Sequence, residues 1–335
     1  MQHPCLSRSN AVAQWREAVP HSHSTSQVMQ NMHRLQSKIA LYVRAVTPYH
    51  CRLTNMKETK VAMGLMFMTD LDGTLLGHED FSFASIRDDI LDLLRDGITL
   101  VPNSSKTRQE IDAFCDELGT SLPFICENGA ALVNRQLIAP PSTSDSDEAV
   151  GLAPECLMIM WDQHIGTTLR RHCHFLADLP EAEQAWHLGL RGAALKLAMA
   201  RDYSVPFVFT GSQTEFHELQ QQAGDADLAV KRGGRVCNLS ACHDKVGFTK
   251  SLRADYHVAR QELVIVGFGD GANDIGMLEG ADIACVVPRP GSPPLKLASP
   301  PPTVITAQRT APEGWLDAAR QALSILDHKR GEHHG

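Results

Sequence analysis

One short stretch limits the architecture more than anything else in the chain. Residues 61–68 form an apolar run that ends abruptly in Thr69-Asp70-Leu71-Asp72-Gly73-Thr74. An apolar run of that length stopping at a polar turn reads as a parallel strand buried on both faces. Residues 84–96 then carry Ile86, Ile90, Leu91 and Leu94 at helical spacing, closed by Gly97. A second strand is predicted at 98–101, followed by Asn103-Ser104-Ser105-Lys106 and a helix to Leu118. A third is predicted at 124–126, ending in Glu127-Asn128-Gly129. Strand alternating with helix predicts an α/β fold with a parallel sheet and right-handed crossovers.

The rhythm breaks at 139–149, a polar stretch with two prolines. Between 150 and 240 the pattern predicts helices at 166–177 and 213–223, with strands at 156–161, 206–210 and 236–239, a small α+β insertion. The α/β rhythm then resumes. It predicts a helix at 244–254, a strand at 263–267, a helix at 273–279, a strand at 283–287 and a last helix at 312–327. The expected organisation is an α/β body over 61–147 and 243–328, an insertion over 148–242, and a short His-rich tail at 329–335.

Residues 1–60 stand apart. They carry eight Lys and Arg against two acids, a net of +6, which leaves 61–335 at −14 within a chain of net charge −8. This extension has no sustained apolar period. Its Arg/Ser-rich, acid-poor composition suits an organelle transit peptide, a disordered arm, or sequence upstream of a start at Met56 or Met63, the last two being favoured. An acidic body excludes nucleic acid as the main partner, and no apolar window is long enough for a transmembrane helix. The nine cysteines are irregularly spaced with no CxxC pair. That pattern indicates a reducing compartment, here the cytoplasm, rather than a disulfide framework.

Four polar clusters fall where strands of the body end or a helix begins: Asp70 to Thr74, Ser104 to Thr107, Lys245, and Gly269-Asp270-Gly271-Ala272-Asn273-Asp274. Ligands of open α/β sheets bind at the carboxyl ends of strands. Asp70, Asp72, Asp270 and Asp274 cannot all stay ionised in one crevice without a cation. Hard oxygen donors with no His or Cys beside them select Mg²⁺. In such a site Asp70 is the candidate nucleophile, forming an acyl phosphate. Asp72 is the candidate proton donor and acceptor, and Ser104 and Lys245 steady the phosphoryl oxygens. Asn273 braces the metal side. His172-Cys173-His174 reads as the polar face of a helix rather than a metal site.

The four clusters, in this order, resemble the haloacid dehalogenase-like phosphatases. Asp72 sits where related ATPases carry Thr and dehalogenases carry Tyr, which favours phosphatase or phosphomutase chemistry. Within the superfamily, residues 103–108, 127–130, 201–207 and 309–315 are similar to the mannosyl-3-phosphoglycerate phosphatases, over about 61–328. Val205 stands where that family has Glu, and Val246 where it has a small residue. The resemblance implies a Rossmann-like parallel-sheet core with an inserted α+β cap of the 2B type over 148–242. It implies Mg²⁺-dependent release of phosphate from a phosphorylated sugar-glycerate, giving a compatible solute, by a monomer or homodimer. For substrate contacts it implies Lys106, Asn128, Arg201, Tyr203 and Ser204. A glucosyl substrate, another sugar phosphate, a phosphomannomutase-like reaction and a phospho-sugar sensor are the alternatives.

Overall fold

The computed structural model describes residues 63–138, 147–233, 235–293 and 295–332; the extension over 1–60 and residues 333–335 of the tail lie outside them. A five-stranded parallel sheet is the centre of the body. Its order is β12 (Thr303–Thr306), β11 (Ile283–Val286), β10 (Glu262–Gly269), β1 (Met63–Thr69) and β2 (Thr99–Pro102). Side chains of β1 alternate between two apolar layers, as a strand covered on both faces requires. Phe67 packs with Phe268 and Trp315, while Met66 and Met68 pack with Leu252 and Tyr256. Helices α1 (Arg87–Arg95), α2 (Arg108–Leu118) and α10 (Glu313–Glu332) cover the sheet together with α8 (Thr249–Val258) and α9 (Ile275–Glu279). Helix α2 starts on a reciprocal cap: Thr107 Oγ1 accepts from Glu110 N at 3.1 Å, and Thr107 N donates to Glu110 Oε2 at 2.9 Å. From α10, Trp315 Nε1 donates to Thr69 Oγ1 at 3.0 Å, which fixes the end of β1.

Here the α/β parallel sheet read from the sequence is present, with one strand reassigned. β3 (Phe124–Cys126) pairs antiparallel with β4 (Ala131–Val133), which pairs with β5 (Glu148–Ala149). A single bridge, Asn103 to Ile125, links β3 of this small sheet to the end of β2. Residues 148–149, expected to open the insertion, therefore complete the body's small sheet.

A third sheet is antiparallel, in the order β6 (Cys173–Phe175), β7 (Ser204–Phe209), β9 (Cys237–Ala241) and β8 (Leu228–Arg232). It has its own core of Leu157, Trp161, Phe207, Phe216, Leu219 and Leu239. Helices α3 (Pro154–His164) and α7 (Gln213–Asp225) pack on it. The shorter α4 (Thr167–Arg170), α5 (Glu181–Leu188) and α6 (Gly192–Met199) complete the region. The predicted strand at 156–161 is helix α3. A short apolar run cannot be typed by periodicity alone, and Pro154 in the first turn with Leu157 and Trp161 one turn apart decides for helix. The predicted helix at 166–177 stops at Arg170, and His172-Cys173-His174 enters a strand. Strand alternation buries Cys173 and turns His174 out, where its ring meets Thr210 at 3.3 Å. The helix predicted at 244–254 begins only at Thr249, because residues 244–248 turn to bring Lys245 inward.

Candidate active site

β1 lies between β2, which follows it in sequence, and β10, which comes nearly two hundred residues later. The winding reverses there, and a crevice opens at the carboxyl ends of the strands. Asp70 leaves β1 with its N–H donating to Phe268 O on β10 at 3.0 Å. The loop after β10 carries Asp270 and Asp274 to the same place. Lys245 Nζ donates to Asp70 Oδ1 at 2.6 Å and to Asp274 Oδ1 at 2.7 Å, so one ammonium serves two carboxylates. Asp70 is 5% exposed, Lys245 2% and Asp274 not at all. Asp274 Oδ2 also accepts the N–H groups of Asp270 and Gly271 at 3.0 and 2.9 Å. Asn103 Nδ2 holds the Lys245 carbonyl at 2.7 Å.

Burial raises the Asp70 carboxyl to about 7, Lys245 pulling against it and Asp274 adding to it. Burial works to lower Lys245, yet Asp274 and Asp70 together hold its ammonium above the ordinary lysine value. Burial likewise raises Asp270, against its bond from Arg289 Nε. Oxygens of Asp70, Asp270 and Asp274 lie within 4.8 Å of one another. Three carboxylates against Lys245 and Arg289 leave one negative charge uncompensated in a buried pocket. An all-oxygen donor set with excess negative charge fits a hard divalent cation. At Gly73, with φ +78°, a Cβ would stand 2.6 Å from Asp270 Oδ2, so the turn closes on this cluster only as glycine.

Asp72, grouped with the metal ligands from the sequence, is turned away from that cluster. The turn from Leu71 onward carries it to the rim, where its carboxylate lies 2.9 Å from Lys106 Nζ. Lys106 also reaches Glu110 at 3.6 Å. Burial works to lower the Lys106 ammonium, and Asp72 and Glu110 more than offset it. Ser104 is buried, with Thr107 taking the helix cap, and its Oγ accepts from Lys106 N at 3.3 Å. Asn128 Oδ1 accepts from Asn273 Nδ2 at 3.4 Å, bringing the loop after β3 beside the loop after β10.

A cavity of about 470 Å³ opens beside Asp72 and Lys106 and reaches Arg201, Arg235 and Asn238 of the third sheet's region. Phe81, Leu188 and Leu197 give it an apolar wall. Arg201 Nη1 donates to Ser204 Oγ at 3.2 Å and to Ser105 O at 3.4 Å. Ser204 is buried behind it. The Tyr203 ring packs instead on Gly151 and the body's apolar cluster, away from this cavity. A hollow of about 580 Å³ between α5 and α6, lined by Trp186 and Leu195, contains none of the predicted residues.

Three polar residues at the site escaped the sequence reading. Arg289 sits just past β11, a strand-end position whose signal was available. Arg235 and Asn238 come from the β8–β9 hairpin and carry no local pattern that marks them. Asn238 Oδ1 is buried with no hydrogen-bond partner and belongs to a residue lining the cavity.

Residues 67–147 match the haloacid dehalogenase-like hydrolase family. The chain is 28% identical to a glucosyl-3-phosphoglycerate/mannosyl-3-phosphoglycerate phosphatase of Methanococcoides burtonii, over 76% of this chain and 95% of that one. It is 27% identical to the Persephonella marina protein of the same name, over 78% and 98%. In fold it is similar to a phosphatase of the haloalkanoate superfamily, BT1666 from Bacteroides thetaiotaomicron. That likeness has a TM-score of 0.54 at 18% identity and covers 84% of this chain and 99% of that one. A haloacid dehalogenase-like hydrolase from the same organism gives 0.51 at 15% identity, over 78% and 99%. This fold and these strand-end carboxylates agree with the match of residues 67–147 to the haloacid dehalogenase-like hydrolase family. The chain's chemistry is that of a phosphoric monoester hydrolase. No helix among the described residues is long and apolar enough to cross a membrane.

Proposed function

We propose that the protein is a Mg²⁺-dependent phosphatase that hydrolyses mannosyl-3-phosphoglycerate to mannosylglycerate and phosphate. The observation that carries this reading is the buried Asp70 carboxylate, tied to Lys245 at 2.6 Å inside a cluster of three carboxylates. Asp70 attacks phosphorus, the ester P–O bond breaks, and Asp72 gives its proton to the leaving alkoxide. Asp72 then takes a proton from water, which attacks the aspartyl phosphate and returns Asp70 as a carboxylate. Lys245 and Ser104 offer donors to the phosphoryl oxygens throughout. Asp70, Asp270 and Asp274 would hold Mg²⁺, which when bound supplies positive charge to the phosphoryl group.

In this reading the cap is the insertion after β5, residues 150–242, and the body is the catalytic core. The cavity between Lys106 and Arg201 receives the sugar-glycerate, with Arg201 facing its carboxylate. The two relatives named for both glycosyl forms support this substrate class, and they make the glucosyl form the second reading. Phosphate release by the purified protein decides the matter. The panel is mannosyl- and glucosyl-3-phosphoglycerate, mannose 6-phosphate and mannose 1-phosphate, each with Mg²⁺ and with EDTA. The expected result is release from a glycosyl-3-phosphoglycerate only with Mg²⁺. Undiminished release in EDTA, or release from the simple hexose phosphates alone, overturns it.

A further inference from the structure

Glu127 does not line the cavity and none of the chemistry above uses it, yet it joins three segments of the site. Its carboxylate accepts from Asp202 N at 2.8 Å, from Tyr203 N at 3.2 Å and from Ser204 Oγ at 2.5 Å. All three donors sit at the entrance to β7. Its own N–H donates to Lys106 O at 2.9 Å, and the next N–H, from Asn128, donates to Ser104 O at 2.9 Å. Its carbonyl accepts from His243 Nε2 at 3.1 Å, where the chain returns from β9 to the body. One buried residue thus spends its donor and both its acceptors on three separate segments. Its φ is +46°, a left-handed conformation that costs energy in any residue but glycine. Such a conformation persists when its surroundings over-determine it. Two residues on, at Gly129, a Cβ would come within 1.9 Å of Asp244 O, so the loop is also pressed against the turn that presents Lys245.

We propose that Glu127 is a positioning residue that fixes Arg201 and Ser204 at one separation from Ser104 and Lys106. Resting on the substrate reading above, this assigns Glu127 to recognition of the sugar-glycerate and not to phosphoryl transfer. The Ser104 and Lys106 carbonyls and the His243 ring bond to the backbone of residues 127–128, so substitution of the Glu127 side chain leaves these bonds in place. What the carboxylate alone controls is the position of residues 202–204. Arg201 precedes them and donates to Ser204 Oγ. Releasing them lets the guanidinium drift from the loop it faces, and a displacement near 1 Å costs about a hundredfold in an oriented complex.

The test compares glycosyl-3-phosphoglycerate with p-nitrophenyl phosphate, which has nothing for Arg201 to bind. Glu127→Ala is expected to lower kcat/KM for the glycosyl substrate about thirtyfold or more, mostly through KM, and to change p-nitrophenyl phosphate turnover by less than about threefold. Glu127→Gln keeps one acceptor oxygen and its amide can donate to the Ser204 hydroxyl, so it restores most of the loss. Hydrogen exchange at the Asp202 and Tyr203 amides gives a readout independent of any substrate, with protection lost in Glu127→Ala and kept in Glu127→Gln. Equal losses on both substrates, unchanged kinetics in Glu127→Ala, or unchanged protection of those two amides overturns the assignment. Should the wild-type protein hydrolyse p-nitrophenyl phosphate but no glycosyl-3-phosphoglycerate, the substrate reading falls. The positioning role is then decided by amide exchange and by the same ratio measured with mannose 6-phosphate.

Discussion

The two ends of the cleft are built on different physics. At the Asp70 end, three carboxylates, an ammonium and a guanidinium meet inside the body, held by side chains that leave strand ends. At the Arg201 end, the contacts are hydrogen bonds between a loop and the entrance of a strand, and the cavity wall is half apolar. The first end concentrates charge where water is excluded, so each group there strongly shifts its neighbours. The second is softer and partly exposed, suited to recognising the shape and charge of a whole molecule. In the proposed function, chemistry common to many phosphate esters belongs to the first end and choice among them to the second.

Asp70→Asn breaks the first end most severely. The amide keeps the volume but cannot form the acyl phosphate, so turnover of every substrate should fall by about a thousandfold or more. Far-UV circular dichroism should not change. Residual activity within about tenfold of wild type removes the covalent mechanism.

The next test separates two cations that look equivalent in sequence. Arg201→Ala should lower kcat/KM for glycosyl-3-phosphoglycerate by about 1.5–3 kcal/mol, the range for a hydrogen bond to a charged group, with little effect on p-nitrophenyl phosphate. Lys106 pairs with Asp72 at 2.9 Å, so Lys106→Ala should depress both substrates. Parallel substrate profiles for the two variants would erase the division between the ends.

The smallest effect concerns the joint between them. Burial lowers the His243 ring below its ordinary value of 6.5, with Lys231 adding to the effect and Asp244 and the Glu127 carbonyl opposing. Below pH 6.5 the unfolded chain therefore binds more protons at this residue than the folded one. Stability from this group is complete above pH 6.5 and is lost as pH falls through that value. His243→Gln should flatten the fall in melting temperature as pH drops below about 6.5, read by thermal melts of both proteins on the acid side of that value. An unchanged slope places the acid sensitivity elsewhere.

Much of the first end was legible because its residues lie within a few positions of strands that announce themselves. Asp70 and Asp72 follow an apolar run, Ser104 follows another, and Asp270 and Asp274 follow a third. The four-carboxylate grouping was too broad in one respect. Asp70 and Asp72 are two positions apart, but the chain turns from Leu71 onward, leaving Asp70 in the cluster and placing Asp72 beside Lys106. The third sheet was harder to read. Its short apolar segments suit helix or strand equally, as residues 156–161 show, and its cavity residues Arg235 and Asn238 belong to a hairpin with no motif.

The sequence by itself determined which residues stand at the strand ends, because burial on both faces of a parallel sheet forces long apolar runs and places polar residues where they stop. Spacing alone then set Asp70, Ser104 and Asp270 at one edge. Only the tertiary structure decided which carboxylates cluster together, which cation pairs with Asp72, and that Glu127 ties Asp202, Tyr203 and Ser204 to the loop of Ser104 and Lys106. Those choices depend on contacts between residues 34 to 204 positions apart. No local pattern encodes such a meeting; it follows from how the sheets and loops close on one another.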